Sequence, residues 1–295
     1  MGKNVYIWFF LLALQACAVS SGKLLPQDRV QEAEQIAQAA GFKRYVIPSS
    51  PNKIWSYLSP AWGQPDLAAS EATVYIEGDG VLETPSRAGA FLSRDPTPTP
   101  PLPLLLAADH HRLKPNHLVA YIARPCQFTL QTKQDKCESL DWLKERYGDK
   151  ALASLSNALD ILKAKQAISG FRLVGYSGGG TFALRLARTR TDVTSVATLA
   201  ANLDHGVFFG RHFETHPPAP FDLVSGGIDL NRLVKEEHMV GGSDQIVFPE
   251  IAQTYLRKMK QMSPMAPVTV NVVPGLTHHD YEHWRKLWLK VLLAQ

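Results

Sequence analysis

Two hydrophobic rhythms alternate along most of the chain. Over residues 27–40, Val30, Ala33, Ile36, Ala37 and Ala40 recur at helical spacing, which predicts an amphipathic helix, and Gly41 suits its C-terminal cap. Short runs at 44–47 and 53–58 predict strands joined by a Ser-Ser-Pro-Asn turn, and a stronger strand is predicted at 73–78. Residues 95–103 hold five prolines and suit neither helix nor central strand. Helical patterning resumes at 104–111, a strand follows at 117–125, and helices are predicted at 138–147 and 149–168. Then come strand 171–177, helix 178–190, strand 193–201, strand 238–242, helix 249–260, strand 267–273 and a last helix from about Tyr281. Several of these strands are apolar almost throughout, which is what burial on both faces demands. The pattern predicts an α/β fold with a mostly parallel central sheet and helices on both faces, in one domain over 27–295. Residues 205–237 are the least regular part, either a cap over a site or a long connection.

Composition adds little to this. Apolar residues make up 45% and charged residues 20%, enough for a full core. The formal charge of +4 comes from scattered Lys and Arg without a run of like charge, so no nucleic-acid partner is expected. The N-terminus changes the picture more. Lys3 precedes the apolar run Val5–Leu14, about half the roughly twenty residues that span a bilayer, the size of a signal-peptide core. Leu14-Gln15-Ala16-Cys17 resembles a bacterial lipobox. That resemblance implies a signal peptide over 1–16, acylation of Cys17, a lipid-anchored tether over 17–26 and, from Ala18, the outer membrane. An ordinary secretory signal cut near Ser20 is the alternative. Cys126 and Cys137 remain once Cys17 is acylated. In an oxidising compartment they would bond, closing a loop of about twelve residues and stabilising by about 3 kcal/mol in the chain-entropy model. Otherwise they are two unrelated buried thiols.

Candidate chemistry centres on Gly175-Tyr176-Ser177-Gly178-Gly179, between a predicted strand and a predicted helix. A strand that turns sharply into a helix exposes a serine oxygen at the head of a sheet, and side chains at the flanking glycines would collide with neighbouring elements. Ser177 is the predicted nucleophile, and the Gly178 N–H at the helix start is a candidate oxyanion donor. No Lys follows these glycines, which excludes a phosphate-binding loop of the P-loop kind.

A serine needs a histidine to take its proton, and that histidine needs a carboxylate to fix its tautomer. Asp244 follows the strand at 238–242, and His278 and His279 follow the strand at 267–273. His278 is the predicted base with His279 as runner-up, and Asp244 the predicted acid with Asp204 as rival. Asp79, in Glu77-Gly78-Asp79-Gly80 after the strand at 73–78, is the predicted second oxyanion donor, with Gly80 close behind. A metal site on His278, His279 and His283 is a weaker alternative, and no metal or cofactor is expected.

With these residues in hand, the chain after the tether resembles the α/β-hydrolase superfamily and, more narrowly, uncharacterised Gram-negative lipoproteins of that fold. The matching stretches are VYIEGDG, RDPTPTPPLPLLLAADH, ARPCQF, CESLDWLKERYGD, GYSGGG, AANLDH, GGSDQIVFPE and GLTHHDYEHW. The resemblance implies the α/β-hydrolase fold and carboxyl-ester hydrolase chemistry, with a small-molecule or lipid acyl substrate. Glu77 departs from the His-Gly form many relatives have at this place. A non-catalytic envelope binding protein on the same fold is the alternative function.

Overall fold

The near-continuous apolar strands owe their pattern to two separate hydrophobic cores, one on each face of a central sheet. In the strand Glu71–Ile76, Val74 and Ile76 enter one core and Tyr75 the other; in Leu118–Ile122, Ala120 and Ile122 part from Val119 and Tyr121 in the same way. The computed structural model describes residues 25–67, 70–86, 89–129, 137–212, 223–224 and 233–294. The expected signal peptide, most of the tether and Cys17 lie outside the described residues, as does most of 213–232.

In chain order the elements are α1 (Pro26–Ala39), β1 (Lys43–Ile47), β2 (Ile54–Leu58), β3 (Glu71–Ile76), β4 (Glu83–Ser86), β5 (Gly89–Leu92), α2 (Leu102–Leu113), β6 (Leu118–Ile122), α3 (Ser139–Trp142), α4 (Asp149–Gln166), β7 (Gly170–Tyr176), α5 (Gly178–Thr189), β8 (Val193–Leu199), α6 (His205–His212), β9 (Lys235–Gly241), α7 (Pro249–Met262), β10 (Val268–Val273) and α8 (Tyr281–Leu293). The main sheet runs β1-β2-β6-β3-β7-β8-β9-β10. The β1–β2 hairpin is antiparallel, β2 meets β6 antiparallel, and the pairs from β6 to β10 are parallel. Residues of α1, α2 and α8 build the core on one face, and those of α4, α5, α6 and α7 the core on the other. This is the α/β arrangement expected from the pattern.

Three local expectations change. The helix expected over 138–147 is a single turn, α3, followed by turns to Tyr147. The helix expected from 104 starts at Leu102, because Pro103 falls in the first turn, where its missing N–H costs nothing. Strands β4 and β5 form an additional two-stranded sheet between the loop after β3 and α2.

Helix α1 lies against α2 and is pinned at one point of consequence. The buried Arg29 guanidinium donates to the carbonyls of Asp95 and Thr97 at 3.2 and 3.1 Å. The segment it holds is the proline-rich run, whose Pro96 carbonyl accepts the Val81 N–H at 3.2 Å, just after the loop that follows β3.

Candidate functional site

Ser177 stands at the junction of β7 and α5 with φ 51° and ψ −125°. A positive φ is uncommon for a residue with a Cβ and persists only where the surroundings hold it. Here Ser177 N–H donates to the Leu199 carbonyl at 2.9 Å and the Ser177 carbonyl accepts Gly180 N–H at 3.0 Å. A Cβ at Gly175 would run into the Gly180 backbone, and one at Gly179 into the carbonyls of Ile76 and Glu77. The turn is this tight only because both positions lack side chains. Ser177 is half-buried, and Gly178 opens α5 as its first residue, so its N–H has no acceptor within the helix.

The loop after β10 carries the candidate base. His278 is buried, and its Nδ1 lies 2.8 Å from Asp244 Oδ2. The other carboxylate oxygen, Oδ1, accepts the N–H groups of Ile246 and Val247, each at 2.8 Å. A carboxylate with both oxygens engaged cannot rotate, so the His278 ring is held in one orientation. The two loops are also stitched through the backbone: Ser243 N–H donates to the Leu276 carbonyl at 3.0 Å and Gly242 N–H to the Val273 carbonyl at 2.7 Å.

What joins this pair to Ser177 is Tyr176, which the sequence did not single out. Its hydroxyl donates to the His278 carbonyl at 3.0 Å, and its ring centroid lies 5.2 Å from that of His278. Trp284 Nε1 donates to the same carbonyl at 3.0 Å. The residue before Ser177 thus carries the His278 backbone. Among the described residues no hydrogen bond joins the Ser177 hydroxyl to the His278 ring; in unliganded hydrolytic sites this bond is often long and tightens only with substrate.

The rivals separate cleanly. His279 is exposed and shares a hydrogen bond of 2.9 Å with the Tyr281 hydroxyl, while His283 is exposed on Asp280 at 2.7 Å. The three histidines of the metal alternative therefore engage three different partners. Asp204 accepts the Val207 N–H at 3.1 Å, capping α6, and pairs with Lys258 at 2.7 Å. Cys126 and Cys137 are joined as a disulfide, so they offer Asp141 beside them no thiolate to share a metal with.

The loop after β3 carries two acidic residues in opposite states. Glu77 is buried, and burial pushes its carboxyl up to about 8 even though Gly78 N–H (2.9 Å) and the Tyr121 hydroxyl (3.0 Å) donate to it. Burial works in the same direction on Asp79, but Arg124, Arg146 and the Tyr147 hydroxyl outweigh it and hold that carboxyl below its ordinary range. Asp79 lies over the start of α5: a Cβ on Gly178 would collide with its carboxylate. Both expected oxyanion donors, Asp79 and Gly178, are thereby neighbours, and among the described residues the Asp79 N–H has no acceptor. The segments ARPCQF and CESLDWLKERYGD, noticed only as resemblance, supply the groups around Asp79.

No family model matches the chain, and no curated protein matches it by sequence. Solved structures do. An esterase from Pyrococcus furiosus aligns over 92% of this chain and 96% of its own at 15% identity, with a TM-score of 0.56. Est1E from Butyrivibrio proteoclasticus, solved with ferulic acid bound, aligns over 85% and 98% at 14% identity and a TM-score of 0.55. A serine hydrolase without a lid from Xanthomonas campestris aligns over 86% and 94% at 15% identity and a TM-score of 0.51. Together with the strand order and the serine at the β7–α5 turn, these likenesses show that the chain has the α/β-hydrolase fold.

Proposed function

We propose that the protein is a serine hydrolase that cleaves a carboxylic ester or related acyl bond through an acyl-enzyme on Ser177. The observation that carries this is the buried His278–Asp244 pair, 2.8 Å apart, carried by Tyr176 beside a serine held at φ 51°. Ser177 Oγ attacks the acyl carbon while His278 Nε2 takes its proton. Asp244, on Nδ1, keeps the ring in the tautomer that leaves Nε2 free to accept and steadies the imidazolium. The negative charge on the former carbonyl oxygen falls to the N–H groups of Gly178 and Asp79. When the tetrahedral species collapses, the bond to the leaving group breaks and His278 returns the proton to it. Water then repeats the sequence on the acyl-enzyme and releases the acid. The solved esterases of the same fold support the acyl chemistry.

The test is covalent. A fluorophosphonate should label the protein on Ser177, and Ser177→Ala should lose both labelling and turnover of a p-nitrophenyl ester while its melting temperature stays put. Labelling that survives in Ser177→Ala removes the assignment.

We further propose an envelope location, anchored through acylated Cys17 at the outer membrane and facing the periplasm. The Cys126–Cys137 bond supports an oxidising compartment. Cys17→Ser should move the protein from the membrane to the soluble fraction; unchanged fractionation rejects the anchor.

A further inference from the structure

The loop after β6 grips the loop after β3, and the grip closes on the two residues that share one peptide plane at the expected oxyanion site. Gln127 Nε2 donates to the Gly78 carbonyl at 2.9 Å, while its Oε1 accepts the Arg124 N–H at 2.9 Å. The Arg124 guanidinium donates to the Asp79 carboxylate and to the Arg146 carbonyl. The Tyr147 hydroxyl takes the other carboxylate oxygen at 2.7 Å. Gly80, at φ 72°, lies so close to the Pro96 carbonyl that a Cβ would overlap it. Residues 78–80 are thus fastened at a carbonyl, at a side chain and at a turn.

The peptide plane gives this grip its meaning. The Gly78 carbonyl and the Asp79 N–H belong to the same rigid trans unit and point in opposite directions. A donor that fixes the carbonyl therefore aims the N–H. The gripping loop is itself held in an unusual shape: Cys126 and Phe128, on either side of Gln127, have φ values of 73° and 63° and are buried. Non-glycine residues in this region are strained and gather where function needs a fixed geometry. The bond from Cys126 to Cys137, and the Thr97 hydroxyl that accepts the Phe128 N–H at 2.8 Å, hold the loop in place.

We propose that Arg124 and Gln127, locked by the Cys126–Cys137 disulfide, are positioning residues that aim the Asp79 N–H at the oxyanion formed on Ser177. This rests on the serine hydrolase function above. A preset donor stabilises the developing charge without reorganising, so loosening the brace lowers the rate of the chemical step and leaves ground-state binding in place.

The experiment compares wild type, Gln127→Leu and Arg124→Lys on a p-nitrophenyl ester. It is read together with affinity for a trifluoromethyl ketone, which forms a tetrahedral adduct, and for an unreactive amide analogue. Gln127→Leu keeps the bulk without the donor; Arg124→Lys keeps the charge but cannot reach Asp79 and the Arg146 carbonyl together. Each variant should lose about 10- to 100-fold in kcat, with KM within about threefold, and ketone affinity should fall in step with kcat/KM while amide affinity holds. Folded variants with wild-type kcat overturn the proposal, and so does an equal loss of amide affinity. Should neither variant fold, dithiothreitol on wild type decides: a kcat loss reversed by reoxidation supports the brace, and undiminished kcat overturns it. Wild type with neither turnover nor fluorophosphonate labelling overturns the hydrolase function and the proposal with it.

Discussion

The molecule holds two sets of hydroxyl, imidazole and carboxylate, and they differ in access and in backbone geometry. At the sheet rim are Ser177, His278 and Asp244. In the core, on β8 and β9, Thr198 Oγ1 lies 2.8 Å from His238 Nδ1, and His238 Nε2 lies 3.3 Å from Glu236 Oε2. By side-chain chemistry alone the core set is the better connected. Yet Thr198, His238 and Glu236 are all buried, and Glu236 is further engaged by Arg188 at 2.6 Å and Tyr255 at 2.7 Å. The hydroxyl of the core set, on Thr198, is fully buried in regular strand. The rim set has a half-buried serine in strained backbone and sits where strands end and loops begin. Access and backbone geometry, more than the three functional groups, separate the proposed catalytic set from the core set.

The largest effect that can break this comparison is on turnover. Ser177→Ala should lower ester hydrolysis by at least about 10³-fold, whereas Thr198→Val should leave kcat within about twofold, both read by steady-state kinetics on folded protein. Comparable losses from the two changes would erase the distinction.

Next is Glu77, a buried carboxyl that makes no ion pair of the kind Arg188 makes with Glu236 among the described residues. The unfolded chain releases this proton near 4.5, and the folded protein keeps it to about 8. The folded state therefore binds the extra proton between those values, so stability falls as pH rises from 4.5 toward 8 and levels off above. Glu77→Gln should remove a difference on the order of 5 kcal/mol between the ends of that window, read as wild-type minus variant unfolding free energy at each pH. A constant difference across the window would sink it.

Glu236→Gln leaves the half-buried Arg188 without its charge partner and should cost about 3 kcal/mol in urea unfolding with kcat unchanged. The smallest effect sharpens the rim: His279→Ala, removing an exposed ring bonded to Tyr281, should change kcat by less than about twofold, while His278→Ala should cost about as much as loss of the nucleophile.

Much of this was legible in the sequence. Strands such as FRLVGY carry apolar residues on consecutive positions because two cores flank the sheet, so the fold class followed from their pattern. Gly175 and Gly179 marked the elbow because backbone contacts leave no room for side chains there. Other features were not legible for physical reasons. The helix expected to Tyr147 ends at Trp142, and the Arg146 carbonyl serves Arg124 from 22 residues away, a long-range partner that local propensity does not register. Strands β4 and β5 pair only with each other, so they lack the imprint that a large sheet leaves on its strands. Spacing favoured His278 and kept His279 as runner-up; burial and the reach of Asp244 divide them. Tyr176 lay inside the serine motif as an unassigned residue, and its role emerges only when the His278 carbonyl is in view.

The clamp of Arg29 on the proline-rich run has a practical outcome for anyone preparing the protein. Because Arg29 holds Asp95 and Thr97, and Pro96 between them backs the turn at Gly80, the first helix is mechanically linked to the loop that follows β3. A shortened form that begins after α1 would forfeit that tie, so any truncation is best made ahead of Leu25.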